Sequence, residues 1–129
     1  MARTLHPLCD RIGLPAVEAV IRDFARRQAD DPVLAPWLGH AAADEEHLAT
    51  VIDYWWTAMG GRLDRPPRPV DMMGRHTGLA LTETALEQWL QLFETTLADH
   101  LEPAEANDWA TMARAMGERL RSAGLVRPD

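Results

Sequence analysis

The stretch that most limits how this chain can fold is residues 82–97, TETALEQWLQLFETTL. Its apolar side chains, Leu86, Trp89, Leu90, Phe93 and Leu97, recur at intervals of three and four, so they fall along one face of a helix. Thr82 is a natural N-cap, and Glu83 places negative charge in the first turn. A helix with a stripe this wide has to bury it against other helices.

Three further stripes supply those partners. Leu14, Val17, Val20, Ile21 and Phe24 follow helical spacing. Pro15 opens that helix, and Asp30-Asp31-Pro32 breaks it near Ala29. Arg22, Asp23, Arg26 and Arg27 cover its other face. Leu48, Val51, Ile52, Trp55 and Met59 form the next stripe, which starts near Ala43 or Asp44 and ends at Gly60-Gly61. The last opens at Pro103 between Glu102 and Glu105, runs through Trp109, Met112, Ala113, Met116 and Leu120, and stops at Gly124. Residues 1–13 form a short lead-in with room for one helical turn. Val33–Leu38 reads as a 3₁₀-like apolar turn, and 62–70, with three prolines and three arginines, is irregular. No strand pattern, repeat or linker interrupts the sequence. The expectation is one all-α domain over residues 1–129.

Composition narrows the partners. Thirteen basic and 20 acidic residues give a net charge of −7, the wrong sign for nucleic acid. No run is long and apolar enough to span a membrane. One cysteine, Cys9, excludes an internal disulfide and a covalent CxxCH haem link. These features fit a cytoplasmic protein.

Five histidines are present: His6, His40, His47, His76 and His100. A surface or capping role is the default for each, and His100 at a helix C-terminus needs no other. His47 lies one turn before Val51 and so points to the core edge. His76 precedes the 82–97 helix, with Trp89 thirteen residues on. Neutral imidazoles are good iron ligands, and two on opposite walls can face the two sides of a flat cofactor such as haem. Asp44 and His47 have the i, i+3 spacing of a di-iron carboxylate site, but no second pair accompanies them. No nucleophile elbow or phosphate loop is present. Trp55 and Trp56 are adjacent, so they cannot share one face; one belongs in the core. Arg-Pro-rich 62–69 reads as a solvated loop.

Three segments resemble the truncated haemoglobins. RHTGLALTETALEQWLQLFETTL (75–97) is similar to that family's proximal half, in which a histidine precedes a helix with a WL-x-LF core. DFARRQADDPVLAPWL (23–38) and DEEHLATVIDYWWTAMGG (44–61) are similar to its upstream helices, the second with a histidine eight residues before a tryptophan. The likeness covers most of residues 14–123. It is greatest to group III, with group II remaining open. The resemblance implies a two-over-two helical sandwich around haem b. His76 is then the metal ligand. Phe24, His47, Val51, Met72, Arg75, Trp89 and Phe93 contact the cofactor, with Arg75 or Arg68 beside a propionate. Phe24, Ala25, His47 and Trp89 line the ligand pocket.

One position departs from the family. A tyrosine usually follows the phenylalanine equivalent to Phe24, and its hydroxyl donates to iron-bound oxygen; here the residue is Ala25. The implied function is binding of O₂, NO or CO, or redox chemistry on NO or peroxide with an unidentified reductase, in a monomer or homodimer. The alternative is a globin-like domain without functional haem, acting as a sensor or interaction module. A helical bundle unrelated to globins is the third reading.

Overall fold

A computed structural model describes residues 7–38, 43–66 and 81–129. In chain order its elements are α1 (Leu8–Ile12), α2 (Leu14–Asp30), α3 (Ala35–Leu38), α4 (Glu45–Ala58), β1 (Leu81–Thr82), α5 (Glu83–His100), α6 (Pro103–Ser122) and β2 (Val126–Arg127). None of the described helices is long and apolar enough to cross a membrane.

The expected stops act where the side chains put them. Gly13, at φ 88, ends α1 and precedes α2; its N–H reaches the Cys9 carbonyl at 2.8 Å. That positive φ suits glycine. Asp44 caps α4 by accepting from the His47 N–H at 3.0 Å, and Thr82 caps α5 by accepting from the Ala85 N–H at 3.1 Å. Pro103 opens α6, where a missing N–H costs nothing. At the end of α4, a Cβ on Gly61 would lie 2.4 Å from Trp56 Cε2. The Trp56 indole lies across that glycine and donates to the Arg62 carbonyl at 3.1 Å.

Helix α2 packs on both α4 and α5, and α5 packs on α6. The stripes read from the sequence meet in one core. Val17, Val20, Ile21 and Phe24 come from α2, Leu48, Ile52 and Trp55 from α4, Leu86, Leu90, Phe93 and Leu97 from α5, and Trp109, Ala113 and Met116 from α6. Phe93 lies at its centre, fully buried. Its ring centroid is 4.7 Å from Phe24, 5.2 Å from Trp89, 5.4 Å from Trp109 and 6.0 Å from Trp55. Small side chains allow the close approaches, as where Gly117 of α6 faces Leu86 and Leu90 of α5.

The lead-in contributes more than expected. Helix α1 packs on α6, Cys9 is buried, and Arg11 pairs with Asp108 at 2.7 Å and Glu105 at 2.5 Å. Two expectations are corrected. Residues 35–38 form a turn of α-helix rather than a 3₁₀ turn, because the Asp31 carboxylate accepts from the N–H groups of Val33 (2.8 Å) and Leu34 (3.1 Å) and sets up a helical start. A strand pair also exists: Leu81 and Thr82 run parallel to Val126 and Arg127, in register Leu81↔Val126. Two residues are too few to show an alternating pattern. They pair because the chain beyond Gly124 returns alongside the start of α5.

Charged side chains bind the outer faces together. Arg121 of α6 reaches Glu83 at 3.0 Å and Glu87 at 2.9 Å on α5, and also pairs with Glu118. Such partly exposed pairs contribute about 0–1 kcal/mol each, so the stability rests on the apolar core. Phe93→Ala is expected to cost about 3–5 kcal/mol in urea unfolding, as for other buried aromatics. Leu92→Ala, at a half-buried neighbour, should cost clearly less.

Candidate cofactor pocket

The residues expected to form a pocket come from three helices. Phe24 and Ala25 lie side by side on α2 and are both buried, at 4% and 5% exposure. His47 and Val51, one turn apart on α4, are both half-buried. Trp89 and Phe93 are one turn apart on α5, Trp89 half-buried and Phe93 fully buried. Met72, Arg75 and His76, together with Arg68, lie outside the described residues.

The structure brings three of the predicted residues into direct contact. Trp89 meets Phe24 edge-on, with centroids 5.2 Å apart at 73°, and lies nearly parallel to Phe93, 5.2 Å away at 29°. Phe24 leans on Phe93 at 4.7 Å. Edge and offset contacts of this kind add to simple burial. Val51, expected within the core stripe of α4, is only partly covered. Together Val51 and Trp89 leave apolar surface incompletely covered on helices that otherwise face the core. His47 lies one turn from Val51 on the same helix.

Alternatives drawn from other donor sets have less to work with. The Asp44 carboxylate is engaged as the cap of α4. Among the described residues no group of three His, Cys, Asp or Glu side chains could hold a metal ion. Burial chiefly, and then the neighbouring Asp10 carboxylate, push the Cys9 thiol up, which disfavours the reactive thiolate. A groove of about 400 Å³ between α5 and α6 is lined by Glu87, Glu94, Glu118, Arg114 and Arg121, a poor match to an apolar ring.

Two polar features went unread in the sequence. Asp53, in the middle of α4, is buried, and Arg65 grips both of its carboxylate oxygens, at 2.8 and 2.9 Å. Hydrogen bonding to Asp53 pushes the Arg65 guanidinium up. The arginine-proline segment is therefore tied to α4 rather than simply solvated. The only hint was an aspartate in an apolar run. Asp23, read as part of a solvated face, gathers Arg26 (2.6 Å), Arg27 (3.0 Å) and His100 (2.7 Å), while Arg27 also reaches Asp99 at 2.9 Å. This cluster fastens the end of α5 to α2. His100 thus has a partner besides the helix terminus.

A family model for bacterial-like globins matches residues 7–122 of the chain. No curated protein and no solved structure matches it.

Two outcomes follow from the polar pairs. Arg65→Ala removes both hydrogen bonds to the buried Asp53 carboxylate, and urea unfolding should register a clear loss of stability. Burial alone would raise the Asp23 carboxyl, but hydrogen bonds from His100 and Arg27 outweigh it and hold the group below the usual range. A carboxyl lowered in the folded state stabilises fully above its unfolded value, about 3.9, and less as pH falls below it. Thermal melts between about pH 5 and pH 2 should therefore lose stability on acidification, and Asp23→Asn should flatten that loss.

Proposed function

The chain belongs to the bacterial-like globin family, and from this we propose that it binds haem b with His76 as the iron ligand and the α2–α4–α5 wall against the ring. The observation that carries this reading is the wall itself: Phe24, Trp89 and Phe93 in mutual contact, with Trp89 and Val51 only partly covered. When bound, haem would supply the iron that takes O₂, NO or CO or, with electrons from a reductase, does redox chemistry on NO or peroxide.

The protein's part is to hold the ring, limit access of water and set the polarity above the iron. Phe24 and Phe93 give the wall a rigid apolar backing, since both are buried and locked against other rings. His47 and the Trp89 indole N–H are the polar groups offered from α4 and α5. At position 25 only a methyl group stands where related chains have a phenolic donor. A donor at this position would meet the negative charge that O₂ takes from ferrous iron, and such a hydrogen bond is worth about 1.5–3 kcal/mol, or roughly tenfold to over a hundredfold in retention. Unless His47 or the Trp89 indole supplies that donor, the protein would release O₂ readily and suit turnover more than storage. A reductase would complete that turnover. Ala25 also favours a second reading, a globin-like domain that has given up haem and acts through a protein partner.

Visible spectra of the purified chain, with and without added haem in ferric and ferrous forms, separate the two readings. Stoichiometric uptake with a histidine-ligated spectrum is expected, and His76→Ala should weaken haem affinity and change the ferrous spectrum. No uptake would sink the haem reading. In stopped-flow measurements Ala25→Tyr should slow O₂ release by about tenfold or more, as a restored charge-assisted hydrogen bond requires.

A further inference from the structure

We propose that Trp89, Trp55 and Tyr54 form a relay that carries an electron vacancy from the pocket wall to the protein surface, with Phe93 only bridging the two tryptophans and Tyr54 as the exit. The rings are continuous. Trp89 and Trp55 both stack on Phe93, with centroids at 5.2 and 6.0 Å and interplanar angles of 29° and 28°. Trp55 in turn meets Tyr54 edge-on at 5.2 Å. Near-contact between π-systems at each step is what short electron hops require.

The ends of the array differ in a way that gives it direction. Tyr54 is the chain's single tyrosine, against five tryptophans. At neutral pH a phenol that can release its proton to water is easier to oxidise than an indole. Tyr54 is half-buried rather than buried, so solvent water is the available proton acceptor. Trp109 shows the opposite chemistry. It lies 5.9 Å from Trp55 and is fully buried, and its indole N–H has no acceptor among the described residues. An oxidised Trp109 would keep its charge in an apolar setting, which is unfavourable. The vacancy therefore moves on towards Tyr54 rather than settling in the core.

The electrons and protons balance with an oxidant and a donor of ordinary classes. A one-electron oxidant removes an electron from an indole. Tyr54 returns an electron to that indole, its O–H bond breaks, and the proton passes to water. A hydrogen-atom donor in solution, of the ascorbate or hydroquinone class, rebuilds the O–H bond. Where hydrogen peroxide is the oxidant at bound haem, two such passages supply two electrons, and the two protons released complete two waters. That pocket end rests on the haem reading above; transfer from the tryptophans to Tyr54 does not.

The test uses the full chain as purified and azide radicals from pulse radiolysis, each of which takes one electron from an indole and becomes azide. Tyrosine deuterated on its ring labels position 54 alone, so electron paramagnetic resonance of rapidly frozen samples identifies the radical. The expected result is a tryptophanyl signal replaced by the Tyr54 signal at a rate independent of protein concentration. Tyr54→Phe, a near-isosteric change, should leave the tryptophanyl signal long-lived. Trp55→Phe should largely abolish the transfer, while Trp56→Phe should preserve it. No Tyr54 signal, a rate proportional to protein concentration, or a Trp55→Phe rate equal to the wild type would overturn the relay. A haem-free spectrum alongside an intact Tyr54 signal would remove only the pocket end.

Discussion

The packing around Phe93 is the contact on which the rest of the molecule depends. Its ring touches Phe24 from α2, Trp55 from α4 and Trp109 from α6, besides Trp89 on its own helix. Four helices are thereby fixed against one another at one buried residue. Interiors pack densely, so a shift at this ring would be felt on every helix it joins. The pocket wall is one side of the same cluster. The side chains proposed to face a cofactor are held by those that stabilise the fold, which gives them little freedom to move.

Polar groups refine this arrangement rather than create it. Asp44 and Thr82 set where α4 and α5 begin. Asp31 starts α3 and is held from α5 by the Gln88 side-chain amide at 2.6 Å. Asp53 and Arg65 tie the segment that follows α4 back onto that helix. The buried carboxylate of Asp53 is tolerated because Arg65 is a charged, hydrogen-bonding partner. Asp44, Thr82 and Asp31 act where a helix begins, and Asp53 holds the loop residue Arg65, at places apolar packing specifies least.

Ala25 and the aromatic array bear on the same chemistry from two sides. The methyl at 25 removes a phenol from beside Phe24, and the chain keeps its single phenol, Tyr54, at the far end of a ring stack. A tyrosine beside the iron would stabilise bound oxygen there. One at the surface end of the stack is better placed to exchange electrons and protons with solvent. If the proposed haem is bound, both positions would suit turnover, with reactive species discharged rather than held.

The amino-acid sequence determined the helices, their boundaries and the faces they bury, because spacing, caps, prolines and glycines act within a few residues of one another. The stripes on α2, α4, α5 and α6 are legible for that reason, as are Thr82, Pro103 and the core position of Trp55. Phe24, His47 and Trp89 were proposed for a pocket only through resemblance, since nothing local distinguishes a pocket phenylalanine from a core one. Met72, Arg75 and His76 keep that standing, lying outside the described residues. Only tertiary structure decided that Val51 and Trp89 stay partly uncovered, that Arg65 grips Asp53, that His100 meets Asp23 and that two residues after Gly124 pair with Leu81 and Thr82. Each of these joins residues far apart in the chain, and their meeting depends on how the helices cross rather than on any local pattern.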